Sequence, residues 1–232
     1  MRRLILWNID LTLVDVARVS RDAYAEAFRR VTGRPLVALP QLAGASDSEI
    51  FFDSLALNDG VRGVDDGDLL ARYAAELASA FGARSDLLLT QGRILPGARE
   101  ALAAMSRQPD VIQTVLTGTI RQNAQCKLQA FGLDSYLDLG IGGFGSDVYP
   151  RGTQILRSLD MAKEKYGWHL VLDDVVYVAD SVRDVAAAKV AGVRCLGVAS
   201  GRSTVSELRE AGAQPVLVDL SDTSRVVAAI RR

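Results

Sequence analysis

Residues 4–15 read LILWNIDLTLVD, and the fold turns on how that stretch is taken. Leu4 to Trp7 form an apolar run of strand type that stops abruptly at a carboxamide, Asn8. A carboxylate follows at Asp10, a hydroxyl at Thr12 and a second carboxylate at Asp15. A fully apolar strand with a cluster of polar groups at its end suits the interior of a parallel sheet, where ligands gather at the carboxyl ends of strands.

The rest of the chain keeps that rhythm. Strand-type runs at 4–9, 112–118, 136–143, 175–180, 194–200 and 215–220 alternate with helical periods at 96–108, 120–132, 153–167, 182–192 and 204–212. Four of those helical periods close at Gly132, Gly167, Gly192 and Gly212, where a helix C-terminus favours glycine. SRVVAAIRR supplies a last helix. The expected class is α/β, a doubly wound, Rossmann-like parallel sheet. Residues 16–92 break the alternation with about three helical stretches, 21–33, 46–60 and 68–82, and no convincing strand. A single crossover helix does not need that length, so the segment reads as a helical insertion lying over the end of the first strand. The expected organisation is a core of 1–15 and 93–232 with a helical cap of 16–92.

Composition narrows the function classes. Lys and Arg total 27 against 28 for Asp and Glu, a net charge of −1, which offers no electrostatic footprint for nucleic acid and no polybasic membrane patch. No apolar run reaches transmembrane length. Cys126 and Cys195 make neither a metal spacing nor a disulfide framework and suit a reducing compartment. The expectation is a soluble cytoplasmic protein, monomer or homodimer, with no nucleic-acid or membrane partner.

Polar residues recur at the ends of the expected strands. Thr117, Gly118 and Thr119 follow the second run, Asp180 and Asp184 bracket the helix after the fourth, and Arg151 precedes the helix near Thr153. Taken singly, each has a structural reading as an N-cap, a first-turn charge or a surface residue. Their conjunction at one sheet edge points to chemistry. Asp10, Asp180 and Asp184 make an oxygen-rich set suited to Mg²⁺, while Thr117, with backbone N–H groups beside it, and Arg151 suit a phosphate. The pattern describes a magnesium-dependent phosphoryl-transfer site.

With these four motifs in order, NIDLT (8–12), VLTG (115–118), Arg151 and ADSVRD (179–184), the sequence resembles the phosphatase branch of the haloacid dehalogenase superfamily. The resemblance covers the core, and the insertion resembles the α-helical cap of phosphoglycolate-phosphatase-like members. It implies that position 8 holds the aspartate that attacks phosphorus, and that Asp10 is the general acid and base. It further implies that Thr117, Gly118 and Arg151 bind the phosphoryl oxygens. Mg²⁺ would be held by position 8, the Asp10 carbonyl, Asp180 and Asp184. Arg151 stands where many members have Lys, and Ala179 where Gly is common. Asn8 is the serious departure, because a neutral carboxamide is a poor nucleophile. It fits either an impaired, trapping form of an enzyme whose substrate is a small phosphate ester, or a pseudo-phosphatase kept for binding or regulation. Retention of Asp10 favours the enzyme lineage.

Absences divide the subgroups. Asp10 is present where the dehalogenases replace it, and no Lys occurs before residue 127, which argues against a Schiff-base lysine in the cap. The lone His169 receives no role. Arg18, Arg21, Arg29, Arg30, Arg34, Arg62, Arg72 and Arg84 of the cap are candidates to read an anionic substrate, although most are expected on solvated faces. Tyr24, Phe28, Phe51, Phe52 and Tyr73 fall at helical periods and are expected in the cap's own core.

Overall fold

The computed structural model describes residues 2–58, 66–147 and 150–232. In chain order the elements are β1 (Arg3–Trp7), β2 (Val14–Asp15), α1 (Ala17–Thr32), α2 (Asp47–Leu57), α3 (Asp66–Gly82), α4 (Leu88–Gln91), β3 (Arg93–Ile94) and α5 (Ala98–Ser106). There follow β4 (Val111–Val115), α6 (Arg121–Ala130), α7 (Arg151–Tyr166), β5 (Val175–Ala179), α8 (Val182–Ala191), β6 (Arg194–Val198), α9 (Val205–Ala211), β7 (Val216–Leu217) and α10 (Thr223–Arg231). The last two residues of the 46–60 helical reading, 59 and 60, lie outside the described residues, as do Arg62, Val148 and Tyr149.

Five parallel strands form one sheet in the order β4-β1-β5-β6-β7. β1 is central, with Leu4 beside Ile112 on one flank and Val175 on the other. Its side chains alternate between two cores, as the two-residue strand period requires. Ile5 and Trp7 join a cluster with α5, α6 and α10, whereas Leu4 and Leu6 join one with α7, α8 and α9. All four are fully buried, so β1 is covered on both faces. The Trp7 indole still finds an acceptor, donating to Gln113 Oε1 at 3.0 Å. This is the expected doubly wound α/β architecture.

One expected strand is corrected. Residues 136–143 form no strand: two short 3₁₀ turns, Asp134–Tyr136 and Leu139–Ile141, lie beside β4, joined to the sheet edge by a bridge between Leu116 and Gly143 and by the Asp138 N–H donated to the Gln113 carbonyl at 2.8 Å. Asp138 explains this: its side chain accepts the Gly140 N–H at 3.0 Å, closing a local turn that competes with strand pairing. Gly140, Gly142 and Gly143 weaken the strand alternative further.

The insertion leaves and rejoins the core through a short antiparallel pair, Val14 opposite Ile94 and Asp15 opposite Arg93. Between them, α1 packs on α3, and Phe51 stacks on Tyr73 with ring centroids 4.0 Å apart while meeting Phe28 edge-on at 6.4 Å. Tyr24, Phe28, Phe51 and Tyr73 are thus part of a packing core continuous with the cluster on the Trp7 face of the sheet, whereas Phe52, expected in the same core, is exposed. Helix α2 starts with a capping box, Ser46 to Glu49. Its first residue, Asp47, is buried against the core: its backbone N–H donates to the Gly118 carbonyl at 2.8 Å, and its carboxylate accepts the Ile120 N–H and the Tyr24 hydroxyl, each at 2.7 Å. That carboxylate satisfies an orphan N–H at the start of α6, which has no capping side chain of its own.

Asp47→Ala leaves two buried donors unpaired and should lower the unfolding free energy by about 1–3 kcal/mol. Chemical denaturation checks this; an unchanged midpoint would show that the seam carries no stability.

Candidate active site

Asn8 continues the β1 ladder by donating its backbone N–H to Val178 at 2.9 Å, and its side chain emerges at the strand's carboxyl end. The amide nitrogen donates to Asp180 Oδ1 at 3.0 Å and to the Asp10 carbonyl at 3.1 Å. A backbone carbonyl can only accept, so these partners fix which end of the amide faces them. Thr12 Oγ1 also donates to Asp180 Oδ1, at 2.9 Å. Gly201 lies against the other oxygen so closely that a Cβ there would sit 1.9 Å from Asp180 Oδ2, leaving room for glycine alone. Burial, reinforced by the negative charge of Asp184, pushes the Asp180 carboxyl up to about 7, although the bonds from Thr12 and Asn8 oppose the shift.

The other motif residues divide into two ion pairs. Asp184 is fully buried and paired with Arg151 Nη1, and it also accepts from the Tyr177 hydroxyl at 2.7 Å and from Ser181 Oγ at 2.5 Å. Ser181, not Asp180, is the side-chain N-cap of α8. Asp10 faces a lysine that the sequence reading assigned no role. Lys127 Nζ donates to both of its carboxylate oxygens, at 2.8 and 2.7 Å, and to Thr119 Oγ1 at 3.0 Å, while Thr119 Oγ1 donates to Asp10 Oδ2 at 2.8 Å. The expected triple-carboxylate cluster is therefore broken up by cations: among the described residues, no three His, Cys, Asp or Glu side chains gather as a metal site.

Thr117 is buried, and its hydroxyl oxygen accepts the Thr119 N–H at 3.1 Å, which leaves its own O–H to donate. The Thr117 N–H goes to Gly143 and the Ile120 N–H to Asp47, so among the described residues the Gly118 N–H is the one in this turn without a protein partner. A Cβ on Gly118 would lie 2.3 Å from the Ala45 carbonyl and 2.6 Å from Arg151 Nη2. Glycine is what lets the inserted segment and the guanidinium approach this turn together.

Asn8, Asp10, Thr117, Gly118, Arg151 and Asp180 all line one cavity of about 250 Å³. All the sequence-predicted site residues except Asp184 thus meet there. From the insertion come Ser20, Arg21, Tyr24 and Asp47, and from the loop after β6 come Ser200 and Arg202. The buried Ser20 hydroxyl has no partner among the described residues. Of the candidate arginines, Arg29 and Arg30 pair with Glu26 on the surface, and Arg84 bonds the Ala80 carbonyl, whereas Arg21 reaches the cavity.

Two features escaped the sequence reading. Lys127 had one signal available: it is the only lysine before residue 163 in a chain whose basic residues are mostly arginine. Leu11 had none. It takes φ 59°, a left-handed conformation uncommon for a non-glycine residue, held by its N–H to the Val14 carbonyl at 2.8 Å and by Ser200 Oγ to its own carbonyl at 2.7 Å.

A parallel α/β sheet with Asn8-x-Asp10 at the end of its central strand, and a hydroxyl, a guanidinium and an acid arriving from three later loops, defines a hydrolase-type scaffold. The chain belongs to the haloacid dehalogenase-like hydrolases, whose family description matches residues 5–189; a second description, HAD-hydrolase-like, matches 156–223. It is 29% identical over 224 residues to a Dickeya dadantii protein named "Probable phosphatase IndB", covering 94% of this chain and 90% of that one. It is 27% identical over 201 residues to a phosphoglycolate phosphatase of Pseudomonas fluorescens, covering 86% and 70%. Among solved structures, a hydrolase from Pseudomonas syringae superposes with a TM-score of 0.69 at 22% identity, covering 99% of each chain. A HAD hydrolase of family IA, variant 3, from Entamoeba histolytica superposes at 0.72 and 17% identity, covering 100% of each. No helix among the described residues is long and apolar enough to cross a membrane.

The raised Asp180 carboxyl has a thermodynamic consequence. A carboxyl whose folded pKa lies above its unfolded value contributes stability that is fully present below about pH 4 and is lost as pH rises through about 7. In chelator, the protein should therefore lose up to about 4 kcal/mol through this group between those limits. Denaturation across pH, compared with Asp180→Asn, isolates it; parallel pH curves for the two proteins would refute the assignment.

Proposed function

We propose that this chain is a phosphomonoesterase scaffold of the aspartyl-phosphate type, acting on a small phosphorylated metabolite, with Asn8 replacing the nucleophile and depressing turnover. The observation that carries this reading is the position of the Asn8 amide: at the end of the central strand, in one small cavity with Asp10, Thr117, Gly118 and Arg151. The Thr117 O–H, the Gly118 N–H and the Arg151 guanidinium are donors for phosphoryl oxygens. With a carboxylate at position 8, its oxygen bonds phosphorus as the ester P–O bond breaks, and the departing oxygen keeps the electron pair and takes a proton from Asp10. Asp10 then deprotonates water, which attacks phosphorus and releases the carboxylate.

The donor set suits Mg²⁺. The Asp180 carboxylate and the Asp10 carbonyl already converge on a single nitrogen of Asn8, and an oxygen at position 8 turned toward them would complete a hard-oxygen set finished by waters and substrate. Asp184 would act behind it, holding Arg151 rather than the ion. When bound, the cation would neutralise charge on the transferring phosphoryl group. In this chain the amide N–H bonds satisfy the two oxygens without a cation. That arrangement favours a second reading, a phosphoryl-binding protein that does not turn over. The insertion serves as a cap in either reading, since Ser20, Arg21 and Tyr24 bring it to the cavity wall.

Asn8→Asp should raise kcat toward an aryl phosphate with Mg²⁺ by at least about 10²-fold. A folded Asn8→Asp protein that stays inactive across a broad panel of phosphate esters would sink the enzyme reading. Calorimetry without substrate should show Mg²⁺ binding to Asn8→Asp at least about tenfold tighter than to the present chain; equal affinities would remove position 8 from the cation's donor set.

A further inference from the structure

We infer that Lys127 is the positioning residue of the acid/base carboxyl: it fixes Asp10 from behind, and the helical insertion completes the site that lets it do so. Lys127 is 2% exposed and does not line the cavity, whereas the Asp10 side chain is 37% exposed and does. The ammonium spans both Asp10 oxygens, and Thr119 closes a three-membered ring of contacts at 2.7–3.0 Å. Two contacts of that kind on one carboxylate restrict its rotation, so Asp10 presents one orientation to whatever occupies the space above position 8.

A buried ammonium carries a large desolvation cost unless it is surrounded by compensating groups. Those groups come from both parts of the chain. Phe81, at the end of α3, places its ring 5.5 Å from Nζ, within cation–π range. Asp47, at the start of α2, is near enough that the charge of Lys127 opposes the upward shift that burial imposes on its carboxyl. The inserted helices thus supply an aromatic face and a second carboxylate to a lysine rooted in α6. The choice of lysine over arginine fits the geometry, since a compact point charge can meet two oxygens of one carboxylate and a hydroxyl together. Retraction of α2 and α3 would remove Phe81 and Asp47 and leave Lys127 to water. Correct orientation of Asp10 is therefore tied to the packed position of the insertion.

The inference rests on the phosphomonoesterase reading, and its test separates the two. In the Asn8→Asp background, kcat/KM reports steps through departure of the leaving group. An alkyl phosphate needs the Asp10 proton at that step, whereas an aryl phosphate with an electron-withdrawing ring leaves as a stable phenolate and does not. Lys127→Met should lower kcat/KM for the alkyl ester by about 10²-fold and for the activated aryl ester by less than about fivefold. Thr119→Val, a smaller disturbance that keeps the ammonium, should shift the same ratio in the same direction, which keeps the test open if Lys127→Met does not fold. Equal losses on both esters for the folded variants would overturn the positioning role and leave Lys127 a structural ion pair. An Asn8→Asp protein with Lys127 intact that hydrolyses neither ester overturns the phosphomonoesterase reading, and this inference with it.

Discussion

The structure depends on the burial of β1 on both faces between two parallel neighbours. Every side chain from Leu4 to Trp7 is withdrawn from water, so the strand has no face on which to display a polar group. Its chemistry can appear only where the ladder ends, at Asn8 and the tight turn that follows. β4 and β5 flank it and end at the same edge, so the turn before α6 and the loop before α8 arrive beside that point. Convergence of residues more than a hundred positions apart is a consequence of parallel pairing.

Electrostatics then sort the convergent groups. Asp10, Asp180 and Asp184 cannot all be ionised and close in a low-dielectric pocket without compensation. Lys127 answers Asp10, and Arg151 answers Asp184. Asp180 is left with hydrogen bonds alone, from Thr12 and from the Asn8 amide, and its carboxyl is the one driven up to about 7. The Asn8 N–H group sits between the Asp180 carboxylate and the Asp10 carbonyl and bonds to both.

The inserted helices are joined to the rest of the chain by packing, hydrogen bonds and charge. Their aromatic core is continuous with one face of the sheet, Asp47 satisfies the exposed end of α6, and Phe81 roofs Lys127. Packing of the insertion and the surroundings of the Lys127–Asp10 pair thus share the same few contacts.

The sequence by itself determined the strand–helix rhythm and the sheet edge at which Asn8, Asp10, Thr117, Gly118, Arg151 and Asp180 gather around one cavity, because hydrophobic periodicity and motif order are local properties. Local patterns misled at 136–143, where apolar alternation suggested a strand and the Asp138 turn prevailed. Which charges pair was decided only by tertiary structure. Arg151 with Asp184, Lys127 with Asp10 and Asp47 with the start of α6 each join residues 33 or more apart in sequence. Such pairing depends on which elements abut, and a side chain's type cannot say which neighbour will stand beside it once water is gone.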